Sequence, residues 1–349
     1  MNDPSASTRI TIRRPDDWHV HLRDGALLAA VLTATARDFG RALVMPNLKP
    51  PVTTTAQAAG YRARIRALLP PDCDFTPLMT CYLTDTIDPG DLGAGFRDGI
   101  FTAAKLYPAG ATTNAEAGVT DLSHIARALE TMERIGMPLL VHGEVVEASV
   151  DVFDREAVFI DRVLAPLRAR HPALKIVLEH VTTREGVAFV REAPGPIAAT
   201  VTPHHLMIDR NAMFAGGIRP HMYCLPVAKR EVHRQALRAA ACAGDPRFFL
   251  GTDSAPHLRR AKEHDCGCAG IFNAPSALAS YTQVFAEEGA LDRLEAFASL
   301  NGAAFYGLPP HEATVTLERC ADRALPDLAV GGDAVRIFHP PGGLRWRVA

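Results

Sequence analysis

Two histidines stand two residues apart in Asp17-Trp18-His19-Val20-His21-Leu22-Arg23. On a β-strand, side chains i and i+2 share a face, so His19 and His21 project together, with Arg23 next along. Neutral imidazole is the commonest metal ligand, and a same-face pair supplies half of a tetrahedral site. Such a pair also arises by chance at solvated or core positions, so its meaning depends on what the rest of the chain brings to it.

Asn47, Lys105, His142, His180 and Asp253 each close a run with strand character. Four histidines and one aspartate exceed the needs of one zinc centre with an open position, so two metals fit better. Two divalent ions carry about four positive charges, against one negative charge from those five ligands. A protonated Lys105 would be repelled there. A lysine turned into a carbamate by CO2 would offer anionic oxygens that can bridge both metals. A bridging hydroxide lowers the charge further and is the natural nucleophile, because metal-bound water titrates near neutrality.

The elements that must position these residues alternate between short β-rich runs and helical stretches, the mark of βα units and a parallel sheet. Strands are expected over residues 17–22, 41–47, 75–83, 102–107, 138–142, 175–180, 197–201 and 247–253. Helices are expected over 26–39 (closed by Gly40), 53–69 (capped by threonine and stopped by Pro70-Pro71), 121–135, 155–170, 184–191, 229–243 (closed by Gly244), 276–288 and 291–300, with an extra strand over 333–338. Eight strands with interleaved helices predict an α/β fold of the (β/α)8 TIM-barrel type. The candidate residues then gather at the C-terminal ends of the strands, where barrel active sites form.

Bulk properties agree. The 349 residues are 48% hydrophobic with a formal net charge of -2, enough for a large core and without a basic block for nucleic acid or a membrane surface. No linker or repeat divides the chain, which is expected to form one domain over residues 1–349. Residues 308–349 are expected to form a C-terminal extension packed on the barrel. No apolar run reaches the roughly 18 residues of a membrane span. Residues 1–7 are polar and read as a short disordered lead rather than a secretory signal. Seven scattered cysteines suit a reducing cytoplasm, and Cys266-Gly267-Cys268 reads as a loop feature rather than a zinc knuckle.

Certain stretches make the pattern specific. They are Asp17-Trp-His-Val-His-Leu-Arg-Asp24, Met45-Pro-Asn-Leu-Lys-Pro-Pro-Val52, Lys105-Leu-Tyr-Pro108 with Thr112-Thr-Asn114, Leu140-Val-His-Gly-Glu144, Glu179-His180, Thr202-Pro203 with His205-Leu206, Arg219-Pro220 with Tyr223-Cys-Leu-Pro226, Gly251-Thr-Asp-Ser-Ala-Pro-His257 and Cys266-Gly-Cys-Ala-Gly270. Together they resemble the amidohydrolase superfamily and, within it, the dihydroorotase family in its shorter, single-domain bacterial form. The likeness covers residues 8–308 and is faint beyond Gly307.

The resemblance implies a reversible cyclisation of N-carbamoyl-L-aspartate to (S)-dihydroorotate plus water, in de novo pyrimidine (UMP) biosynthesis. It implies two Zn2+ per subunit: His19, His21 and Asp253 on one, His142 and His180 on the other, and N6-carboxylated Lys105 with hydroxide bridging both. Asp253 is implied as the proton shuttle. Arg23, Asn47 and His257 are implied to hold the substrate carboxylate. His142 and backbone groups of Leu225 and Ala269 complete the substrate contacts, and Thr112 and Thr113 form a lid loop. The family further suggests a cytoplasmic homodimer without nucleic-acid or membrane partners. A hydantoinase-like enzyme would share the metal ligands but have no use for Arg23, Asn47 and His257. An inactive scaffold paralogue would have lost ligands. A purely structural metal site would favour closed Cys/His tetrahedra.

Overall fold

The structure, a computed structural model, describes residues 8–349. The lead expected over residues 1–7 lies outside the described residues. The chain runs from β1 (Arg9–Arg13) through β2 (Asp16–Val20), β3 (Arg41–Val44), β4 (Thr76–Tyr82), β5 (Phe101–Leu106), β6 (Leu139–Val141), β7 (Ile176–Leu178), β8 (Ile197–Val201) and β9 (Phe248–Leu250). Strands β2 to β9 pair in sequence order, each pair parallel. Most of their residues are buried, as a parallel sheet covered by helices requires. The sheet closes where β2 meets the chain just past β9. There Asp253 donates its N–H to the His19 carbonyl (2.8 Å) and His21 donates to the Ser254 carbonyl (3.0 Å). This is the expected (β/α)8 barrel.

Alternation along the strands builds two cores. Trp18, Leu43, Ala103, Leu140, Val177, Ala198 and Phe249 fill the barrel interior, while Val44, Ala104, Leu139, Val141, Leu178 and Leu250 face the helices. Trp18 anchors the interior by stacking on Tyr306, with ring centroids 4.3 Å apart. Two positions further along the inward faces come Lys105, His142, Glu179, Thr200 and Gly251, so the layer above the apolar plug is polar.

Local chemistry explains several helix boundaries. Thr54 and Gln57 form a reciprocal capping box on the helix Thr55–Ala67. The helix over 155–170 is continuous, with a π-turn at Ile160–Leu164. The first helix, Gly25–Asp38, ends differently from expectation: Phe39, in extended conformation, is its C-cap, rather than Gly40. A helix at Pro89–Arg97, started by Asp88 with Pro89 at its first position, is missing from the sequence reading. Three glycines dilute its pattern, yet Gly95 is needed for packing: a Cβ there would lie 2.5 Å from Thr55 Oγ1 and 2.6 Å from the Phe101 ring.

The remaining strands are β10 (Thr314–Arg319), β11 (Leu328–Val330), β12 (Asp333–Val335) and β13 (Trp346–Val348). β1, β10 and β13 make an antiparallel sheet outside the barrel, and β11 pairs with β12. The extra strand expected over 333–338 is β12. No helix among the described residues is long and apolar enough to cross a membrane.

Candidate metal centre

The candidate side chains sit at or just past the strand ends. Lys105 lies within β5 and His19 within β2, while His21, Asn47, His142, His180 and Asp253 follow the last residues of β2, β3, β6, β7 and β9. The barrel strands are therefore shorter than the apolar runs, because the chain leaves the ladder to aim these groups. At β2 the register against β3 shifts between Asp17 and Val20. Trp18 packs in the barrel interior while Val20 joins the outer core, and both histidines reach the mouth. His180 (φ 42°) and Asp253 (φ 44°) occupy the left-handed region, a conformation that costs about 1–3 kcal/mol and clusters at functional sites. Gly251 makes room for His19: a Cβ at 251 would lie 2.7 Å from Thr200 Cβ and 3.2 Å from His19 Cβ.

His19 Nε2 and His21 Nε2 are 3.3 Å apart. Asp253 Oδ1 lies 3.3 Å from the first and 3.1 Å from the second. These three offer their ligand atoms within 4.8 Å of one another. The His180 ring is 5.0 Å from His19 and 4.9 Å from His142, centroid to centroid. The sequence-derived set thus converges on one buried cluster.

Three of the four imidazoles are oriented by a partner on the other nitrogen, the usual arrangement for metal-ligating histidine. His19 donates Nδ1–H to Glu179. His21 donates Nδ1–H to Asn47 Oδ1 (2.8 Å). His142 donates Nε2–H to Glu144 Oε2 (2.9 Å). Lone pairs are thereby left on Nε2 of His19 and His21 and on Nδ1 of His142. His180 Nδ1 is buried with no hydrogen-bond partner, and its backbone N–H is held by Thr200 Oγ1 (2.7 Å). Thr200 also donates to Glu179 (3.2 Å). Glu179 and Glu144 are the functional residues that sequence reasoning passed over. The available signal was adjacency: each carboxylate stands one or two residues from a ligating histidine.

Burial pushes His21 down to about 4 and lowers His142; it holds His180 well below the ordinary value, reinforced by Lys105. Neutral imidazole is the ligating form. Burial acts the same way on His19, but Glu179 and then Asp253 outweigh it and raise the pKa. Burial also opposes ionisation of Asp253, yet His19, His21 and His180 hold its carboxyl far below the carboxylate range. Lys105 is fully buried, and its Nζ has no hydrogen-bond partner. Burial brings its pKa down to about 8. An orphaned amine and an orphaned imidazole nitrogen, beside three converging ligand atoms, fit a metal centre.

The anchoring extends to Asp17, which accepts hydrogen bonds from Thr252 N (2.8 Å) and Thr252 Oγ1 (2.6 Å) and so fixes the turn that presents Asp253. Burial raises the Asp17 pKa to about 7.

At the rim, Arg23 donates to His257 Nε2 (3.0 Å) and to the Pro256 carbonyl (3.2 Å). Asn47 donates to the Thr113 carbonyl (3.0 Å), and Thr113 Oγ1 donates to the Ala269 carbonyl (3.3 Å). The loop carrying Thr112 and Thr113 thus lies against the site. Leu225 and Ala269 belong to two segments joined by Gly270 N–H donating to the Tyr223 carbonyl (3.1 Å). A second buried cluster, His204, His205 and Cys224, also brings ligand-type atoms together. Its His205 is committed to Thr202 Oγ1 (2.7 Å) and the Pro226 carbonyl (3.0 Å), and we assign it no metal. Cys266 and Cys268 are free thiols.

A parallel barrel that gathers histidines, an aspartate and an orphaned lysine at its C-terminal mouth defines the class of metal-dependent hydrolases. The amidohydrolase family model matches residues 16–322, and the chain belongs to that family. Within it the chain falls among the dihydroorotases, which are cyclic amide hydrolases. The dihydroorotase of Synechococcus sp. (strain CC9605) is 63% identical over 343 residues, covering 98% of this chain and 97% of the relative. The solved dihydroorotase of Saccharomyces cerevisiae, in complex with 5-fluoroorotic acid, superposes with a TM-score of 0.89 at 31% identity, covering 98% of this chain and 99% of that one. L-hydantoinase from Arthrobacter aurescens, at 16% identity and a TM-score of 0.77 over 91% of this chain and 78% of that one, shares the fold.

Proposed function

We propose that the chain interconverts N-carbamoyl-L-aspartate and (S)-dihydroorotate at two Zn2+ ions, a step of UMP biosynthesis. The observation that carries the substrate assignment is Arg23. It is a partly buried cation beside the ligand cluster, bonded to His257 and a carbonyl, and among the described residues no carboxylate pairs with it. A substrate carboxylate is the missing partner, and a carboxylate-free ring would leave the charge without a use. The yeast relative's 5-fluoroorotic acid, a pyrimidine carboxylic acid, supports the same reading.

In this reading His19, His21 and Asp253 would hold one ion and His142 and His180 the other, with carbamylated Lys105 as a further anionic ligand. When bound, the ions polarise the substrate carbonyl and acidify water. Asp253, kept ionised by its histidine neighbours, takes the proton of the attacking water and delivers it to the leaving ring nitrogen. In the synthetic direction Asp253 removes a proton from the carbamoyl nitrogen, which bonds to the side-chain carboxyl carbon; one oxygen of that carboxyl leaves as water, taking the proton from Asp253 and a second from solvent. Arg23, Asn47 and His257 orient the carboxylate, His142 lies against the reacting carbonyl, and backbone groups of Leu225 and Ala269 pair with the ring's amide edge. Thr112 and Thr113 close the site to water. We further take residues 1–349 as one barrel domain with residues 308–349 as its extension, working as a cytoplasmic homodimer.

The test is hydrolysis of dihydroorotate, followed by loss of its ring-amide absorbance, with hydantoin and dihydrouracil as controls and metal quantified on the same sample. Turnover of dihydroorotate alone, with about two ions per chain, is the expected result. Turnover of the carboxylate-free rings instead would move the assignment to a hydantoinase-like enzyme.

A further inference from the structure

Lys262 ends the short helix Arg259–Lys262 and is buried, with 3% of its surface exposed. Among the described residues no carboxylate pairs with it. Its ammonium donates instead to two backbone carbonyls: Tyr223 (2.8 Å) and Gly270 (2.6 Å). An ammonium has three donors and no acceptor, so a single Lys262 can fasten two chain segments at once. Those segments are distant in sequence and otherwise joined here by the Gly270 to Tyr223 backbone bond. One leads into Leu225 and the other comes directly out of Ala269, the two backbone positions read above as the wall for the ring's amide edge. Lys262 also shares the small cavity, of about 80 Å³, behind His257, and its charge acts on that histidine together with the charge of Arg23.

Burying an ammonium without a carboxylate is costly even when it is hydrogen-bonded. A purely structural tie between two loops is obtained more cheaply from an amide or hydroxyl side chain. Placed behind the anion pocket, the same charge attracts a substrate that carries one or two carboxylates, and the two hydrogen bonds set the spacing of the groups that grip its ring.

We propose that Lys262 is a positioning residue for substrate: it clamps the 223–226 and 269–270 segments at the separation that receives the amide edge and supplies a second positive charge beside His257, the partner of Arg23. The inference rests on the substrate reading above. Lys262 touches neither metal ligands nor the reacting atoms, so its loss acts on binding. Interactions made equally in ground and transition states appear in KM and not in kcat.

The experiment compares wild type, Lys262→Met and Lys262→Arg, each with metal content and thermal unfolding measured on the assayed sample. Lys262→Met keeps the length and apolar stem but removes both hydrogen bonds and the charge. Its KM for dihydroorotate should rise about tenfold or more while kcat stays within about threefold, at unchanged metal content. Lys262→Arg, which can still donate to both carbonyls, should recover most of the KM. A Lys262→Met enzyme with wild-type KM overturns the inference, and so does one that loses kcat and KM together with no recovery by arginine. If Lys262→Met does not fold, the same comparison on Lys262→Gln decides. A wild-type enzyme inactive on dihydroorotate would sink the substrate reading itself, a result distinct from either outcome with the variants.

Discussion

Asp253 donates its backbone N–H to the carbonyl of His19 at 2.8 Å, and this hydrogen bond, one of the two that close the barrel, also brings together two side chains of the candidate metal site. The side chains of the same two residues lie 3.3 Å apart, Nε2 to Oδ1. Ligand geometry is therefore tied to the β2–β9 seam rather than to flexible loops, which favours a site that is formed before metal arrives. The left-handed backbone of Asp253 and the two Asp17 bonds to Thr252 hold the turn on the far side of that seam.

The first prediction concerns Glu179. Its carboxylate fixes the His19 tautomer and raises the basicity of the ring. Glu179→Gln keeps the shape but removes the charge, and loss of such a partner costs about 10–100-fold in metal affinity or activity. Titration of metal-stripped protein with zinc should show one site weakened by that amount and the other nearly unchanged. Equal weakening of both sites would mean that Glu179 supports the layer as a whole rather than His19.

Lys105 gives a prediction with a definite pH direction. CO2 reacts with neutral amine, not ammonium. Burial brings the Lys105 pKa from 10.5 down to about 8, so the neutral fraction in the folded protein climbs as pH rises through about 8, more than two units earlier than in an unfolded chain. Metal-free enzyme given zinc at fixed dissolved CO2 should regain activity faster as pH is raised from about 7 to about 9, then level off. Lys105→Arg, which stays charged, should regain none. A reactivation rate independent of pH across that range would remove the carbamate from the scheme.

How far all this was legible from the sequence follows from the range of each interaction. His19, His21, Lys105, His142, His180 and Asp253 were readable because each closes an apolar run, and a barrel maps every strand end to one mouth. Glu179 and Glu144 were in view as neighbours of ligands but gained a role only once the free nitrogen of each histidine could be followed to its partner. The β1–β10–β13 sheet stayed hidden because its strands are short, half-exposed and paired across the length of the chain: Arg9 lies opposite Glu318. The helix Pro89–Arg97 stayed hidden because its buried glycines serve packing at the expense of helical pattern.

Arg23 separates recognition from chemistry. Arg23→Met removes a charge-assisted contact of about 1.5–3 kcal/mol, which corresponds to about 10–150-fold in kcat/KM for dihydroorotate. The loss should fall on KM, because a contact made equally in ground and transition states leaves kcat unchanged. The split between KM and kcat, taken on one preparation of unchanged metal content, is the quantity to read. An unchanged KM, or a fall carried by kcat, would assign Arg23 to holding the His257 loop rather than the substrate.

The loop after β5 supplies the last prediction. In this structure it rests on the site through three links: Asn47 to the Thr113 carbonyl (3.0 Å), Asn114 to the Asn47 carbonyl (2.9 Å), and Thr113 Oγ1 to the Ala269 carbonyl (3.3 Å). The first two use no side chain of Thr112 or Thr113 and survive changes there. The third is a side-chain hydroxyl bonded to the segment read as the substrate wall, so an opening of the loop would break it and a closing would remake it. Replacing Thr112 and Thr113 with Ala removes that reversible contact and leaves every ligand and its orienting partner in place. Turnover should fall about tenfold or more, because a lid that no longer dwells closed admits water and fails to hold the reacting geometry, while metal content stays intact. Unchanged turnover in the double variant would show that the loop merely lies over the mouth and that closure plays no part in the reaction.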